Sequence, residues 1–154
     1  MKTLHRTLSC TLVIIAAVTS VSQSQQISLT GGNVTLSIAT GTAGGQLINV
    51  VNTSVSLQYQ KQGVLSKITV STSCPGQRYN LSVLATSVTK GVAAPQVSLI
   101  DGSPAIDFIT SIPKTGAPNG NATLQYTASA TFSQGNSSEL GDDVHTITYT
   151  ILAQ

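Results

Sequence analysis

The side chains able to do chemistry are few. Beyond its first 24 residues the chain carries one histidine, His145, and one cysteine, Cys74. Its acids are Asp101, Asp107, Glu139, Asp142 and Asp143. A zinc site needs more His or Cys ligands than His145 and Cys74 supply. A Ser-His-Asp site needs its nucleophile in a strained turn, and no G-x-S-x-G occurs. His145, between Val144 and Thr146, therefore reads as one residue of a sheet face. Glu139, Asp142 and Asp143 share one loop, GNSSELGDD. Carboxylates this close could meet calcium, which takes about six to eight oxygens, but their spacing fits no EF-hand. The loop reads as a solvated, charged hairpin, and charge at a strand end discourages edge pairing. We expect no catalytic residue, no metal site and no cofactor, so a protein that is not an enzyme.

The elements around these residues begin with an address. Lys2, His5 and Arg6 make a short basic start. The apolar run Leu8 to Val18 (LSCTLVIIAAV) follows, and then small polar residues, TSVSQSQQ. Charge, apolar core and small-residue exit are the order of a secretory signal peptide. The apolar run is about half of the ~20 residues that span a bilayer. We read residues 1–24 as the signal, cut after Ser22 or Ser24, and residues 25–154 as a single domain. The expected location is secreted, periplasmic or at the cell surface, with no transmembrane segment in the mature chain. Cys10 lies near the start of the apolar run, which argues against lipid attachment, and it leaves with the signal. Cys74 then has no partner in its own chain. It reads as a small buried hydrophobe, with a free thiol or an interchain bridge as the alternatives. Pro75-Gly76 directly after it reads as a turn.

Charge excludes a further class. The formal net charge is +2, from 7 Lys+Arg against 5 Asp+Glu. Without Lys2 and Arg6, five basic residues face five acidic ones. No basic patch remains for a phosphate backbone, which excludes nucleic acid.

The rest of the chain alternates with period two, the signature of half-buried strands. Val34, Leu36 and Ile38 alternate with Thr35 and Ser37, and Val55, Leu57 and Tyr59 with Ser56 and Gln58. Tyr79 to Ala85, Leu124 to Phe132 and Ile147 to Ile151 repeat the pattern. Weaker candidates are 46–51, 64–71, 96–100 and 105–112. Breakers fall between them at Gly31-Gly32, Gly44-Gly45, Lys61-Gln62-Gly63, Pro75-Gly76, Asp101–Pro104, Gly116–Gly120 and Gly141-Asp142. Eight or nine short strands with regular punctuation imply an all-β antiparallel sandwich or barrel. A membrane barrel would carry aromatic girdles, and the 4 Tyr and 2 Phe are scattered. N-x-[ST] matches at Asn33, Asn52, Asn80, Asn121 and Asn136 carry little weight in a chain so rich in Asn, Ser and Thr.

Two segments carry a family likeness. SKITVSTSCPGQRYNLSVLA, residues 66–85, is a strand, a Cys-containing turn and a second strand. ATLQYTASATFSQGNSSELGDDVHTITYTI, residues 122–151, is a long strand, a Gly-containing loop and a closing strand. Together they resemble bacterial extracellular β-sandwich subunits of the spore coat U and fimbrial-subunit type. The resemblance implies an immunoglobulin-like sandwich of about eight strands, built for polymerisation or surface display. It also implies that an extended segment of one subunit completes the sheet of the next. Residues 25–40 could be such a segment, or simply the first strand of their own domain. The expected function is an exported, non-enzymatic structural or adhesive surface subunit that associates with itself or with other surface subunits. The alternative is a secreted module binding polysaccharide or another surface ligand. Against it, Tyr59, Tyr79, Tyr126 and Tyr149 fall on core-like positions rather than forming a platform.

Overall fold

Alternation along each strand decides which face is dry, and the dry faces meet in one core. The computed structural model describes residues 9–14, 26–41, 47–60, 63–114, 119–134 and 137–154. Most of the expected signal segment, Gly44-Gly45, Lys61-Gln62, residues 115–118 and Asn136 lie outside them. In chain order the strands are β1 (Ser9–Ile14), β2 (Ile27–Thr30), β3 (Val34–Ser37), β4 (Val50–Tyr59), β5 (Ser66–Ser73) and β6 (Asn80–Thr86). There follow β7 (Val92–Ala93), β8 (Val97–Leu99), β9 (Ile106–Ile112), β10 (Gly120–Ser129) and β11 (Asp143–Ala153). They form two sheets, ordered β3-β1-β11-β5-β9-β7 and β2-β4-β10-β6-β8. The chain is an all-β sandwich.

Four details differ from the expectation. Eleven strands are described rather than about eight. Gly31 and Gly32, at φ 119° and 69°, separate β2 from β3, β7 has two residues, and β1 lies in the expected signal segment. The first sheet is mixed rather than purely antiparallel, because β1 runs parallel to β11. Opposite ends of the chain meet there, so no tight turn dictates direction. The pattern ending at Phe132 stops earlier, at Ser129. Phe132 enters a short 3-10 turn and is half exposed. The candidates at 46–51 and 55–59 fuse largely into β4, while Leu47 makes an isolated bridge to Gly41.

The core draws on both sheets. Leu57 and Tyr59 of β4, Leu124 and Tyr126 of β10, and Val83 of β6 face Ile68 of β5, Phe108 and Ile109 of β9, and Ile147 and Tyr149 of β11. All are at most 1% exposed. Burying aliphatic side chains of this size stabilises by ~1.5–3 kcal/mol each. The Tyr126 and Tyr149 hydroxyls hydrogen-bond each other at 2.9 Å, which ties the second sheet to the first inside the core. Burial holds both phenols above their ordinary pKa. Tyr59 donates to the Lys90 carbonyl oxygen at 2.6 Å. The expected core placement of the four tyrosines holds, since all are buried.

Gly120 opens β10 opposite Tyr59. A Cβ there would lie 2.0 Å from the Tyr59 ring. That ring is buried and pinned by its bond to Lys90, so it cannot swing aside. Gly120→Ala should therefore destabilise by ~1–3 kcal/mol, the usual cost of overpacking. Urea denaturation of the variant against the parent checks this.

Candidate functional site

The turn after β5 carries Cys74, and β11 brings two side chains to it. Cys74-Pro75-Gly76-Gln77 closes with the Gln77 amide donating to the Cys74 carbonyl at 2.9 Å. Proline second and glycine third, with Gly76 at φ 78°, are what a type II turn requires. Cys74 is 1% exposed and its thiol is free. The expected deep burial of a small apolar group therefore holds despite the adjacent turn.

Asp143 and His145 lie two residues apart at the start of β11, so they project to the same face. Both are buried, at 4% and 0% exposure. Cys74, Asp143 and His145 each offer a ligand-type atom, and these atoms lie within 4.8 Å of one another. The Asp143 position corrects one expectation. Glu139 and Asp142 are exposed, as a solvated loop requires, but Asp143 is not. Its Oδ2 accepts the backbone N–H groups of Arg78 and Tyr79, each at 2.8 Å. A carboxylate that takes two amide donors satisfies groups that would otherwise be orphaned where the chain enters β6.

Other side chains truss the same turn. Asp101 Oδ1 accepts the Cys74 N–H at 2.7 Å. Gln77 donates to the carbonyls of Tyr79 and Leu99, and its Oε1 accepts from the Asp101 N–H. Arg78 donates to the Leu140 carbonyl. His145 Nδ1 pairs with Thr72 Oγ1 at 3.1 Å, while Nε2 is buried with no partner among the described residues. Burial lowers the His145 pKa, against the pull of Asp143 and Asp101. Burial, then repulsion from Asp143 and Asp101, pushes the Cys74 thiol up to about 11. In this state the thiol is protonated and a poor nucleophile.

Sequence reasoning set Cys74 and His145 apart and placed Asp143 in solvent. The one available signal was the Asp-x-His spacing, which on a strand puts both side chains on one side.

A second feature is the flank of β11. β1 lies between β3 and β11, antiparallel to the first and parallel to the second. Cys10 stands at the register of Asp143 and Leu12 at that of His145. β3 has no other ladder partner in its sheet. Val34 and Leu36 of β3, and Ile38 just after it, are nonetheless 1–3% exposed and belong to the core. Within the candidate donor 25–40, β2 pairs with β4 and β3 with β1 of the same chain. No family model matches the chain, and no curated protein matches it.

Removing the Asp143 carboxylate leaves the Tyr79 N–H buried and unpaired, at a cost of ~1–3 kcal/mol. Asp143→Ala should lower the denaturation midpoint accordingly. Asp142→Ala, one residue away and exposed, should stay within ~0.5 kcal/mol of the parent. Paired urea titrations check the contrast.

Proposed function

We propose that this chain is an exported, non-enzymatic structural or adhesive subunit of an extracellular surface, one that completes its first sheet with a strand from another chain. One observation carries the reading. The strand between β3 and β11 is Ser9–Ile14, and it lies within the segment whose charge, apolar core and small-residue exit read as a cleavable signal. Once that segment is cut away, β11 loses one flank and β3 loses its ladder. A chain with two unpaired strand edges over a dry core is a template for an added strand, with main-chain bonds supplying affinity and alternate side chains supplying fit.

Composition supports the same reading. Only 8% of residues are charged, so contact between copies desolvates few charges. The four tyrosines are buried and so unavailable as the stacking platform that a polysaccharide-binding module would present. The sandwich would be of the immunoglobulin-like kind, and the protein would work in the periplasm or at the cell surface.

A chain beginning at Gln25 tests this. At ~1 kcal/mol per ladder hydrogen bond, its stability should fall by several kcal/mol relative to the chain that keeps residues 1–24. It should form oligomers on size-exclusion chromatography, and a synthetic peptide spanning residues 8–15 should return it to a stable monomer. A Gln25 chain that is a monodisperse monomer of unchanged stability overturns strand donation. If that monomer binds immobilised polysaccharide, the binding-module reading replaces it.

A further inference from the structure

We propose that Cys74, Asp143 and His145 form a binding site for one divalent cation of zinc-like character, which closes the junction between the β5–β6 turn and the start of β11. The donor set is a thiolate, an imidazole and a carboxylate. These are the ligand types zinc takes, commonly three from the protein with water in a fourth position. Their ligand atoms lie within 4.8 Å of one another. Bonds of ~2.0–2.3 Å in a tetrahedron put donors ~3.3–3.8 Å apart, so a contraction of about 1 Å closes the site around the ion.

The histidine supplies an independent observation. His145 is 0% exposed, and its Nε2 has no partner among the described residues. A buried polar atom without a partner costs free energy and needs a reason. If Nδ1 carries the proton and donates to Thr72 Oγ1, Nε2 presents a lone pair. A ligating imidazole is commonly held in this way, by a hydrogen bond through its other nitrogen. Asp143 is likewise pre-oriented, since Oδ2 is fixed by two backbone amides and Oδ1 is left to reach the ion.

The electrostatics favour a cation. Burial first, and then the charges of Asp143 and Asp101, disfavour a bare thiolate at Cys74. A divalent ion reverses that balance: the thiol releases its proton to solvent, sulfur bonds the metal, and the ion neutralises the thiolate and the Asp143 carboxylate together. Neither redox partner nor co-reactant enters the step. Asp101, already holding the Cys74 amide at 2.7 Å, adds its charge from outside the ligand set.

Cobalt(II) is the probe, because a cobalt–thiolate bond absorbs where the free ion does not. The experiment uses the full chain carrying Cys10→Ser, so that Cys74 is the sole thiol, stripped with chelator and then titrated. One cobalt per chain should bind with thiolate-to-metal absorption, and zinc should displace it. Cys74→Ser should abolish the absorption, His145→Gln should weaken binding at least tenfold, and Thr72→Val should weaken it about tenfold through the freed ring. If Cys74→Ser fails to fold, the Cys10→Ser chain alone decides: zinc should raise its thermal midpoint and protect Cys74 from alkylation in partial denaturant. No absorption at millimolar cobalt, absorption that persists in a folded Cys74→Ser variant, or zinc that neither raises the midpoint nor protects the thiol overturns the site.

Discussion

An interior strand must be paired on both sides, and in this fold the requirement falls hardest on β11. It runs through the first sheet with β5 on one flank and β1 on the other. Its residues Ile147, Tyr149 and Ile151 supply core surface, and its first turn of ladder carries Asp143 and His145. If the β1 flank opened, the N–H and C=O groups facing it would lose their partners at the rim of a dry interior. β3 would then be held only by the packing of its apolar face. The sandwich, the buried polar cluster and the proposed assembly all follow from how that flank is filled.

Inside the sandwich, two groups of buried polar side chains bridge separate elements. The tyrosine pair joins one sheet to the other through the middle of the core. The Cys74–Asp143–His145 group joins the β5–β6 turn to the last strand at one end. Asp143 acts chiefly as a surrogate backbone acceptor, taking two amides where no strand supplies a carbonyl. The deeply buried acid is thus a joint of the fold, while its neighbours Glu139 and Asp142 remain at the surface.

The strands were legible because period two is written locally. Val34 to Ile38, Leu57 to Tyr59 and Leu124 to Ala128 announce their dry face without reference to any partner. The core tyrosines were legible for the same reason. The cluster was not, because Cys74 and Asp143 are about seventy residues apart and nothing in either stretch names the other. Asp143 looked solvated because its loop is acidic, and its true partners are main-chain amides, which leave no trace in residue types. β1 was hidden differently: the order of charge, apolar run and small residues that marks an export signal also supplies six residues able to form a strand. The mixed direction of the first sheet followed from that strand and was equally invisible.

The register of Cys10 with Asp143 joins positions from opposite termini. Unlike the short-range ladder of β1 with β3, the ladder of β1 with β11 can form only once β11 has joined the sheet. Pairing across so long a stretch is entropically late and slow. Until then the apolar faces of β3 and β5 stand uncovered along that seam. Apolar surface and unpaired edges left open in a partly folded chain are what make it stick to its neighbours, however strong the finished core.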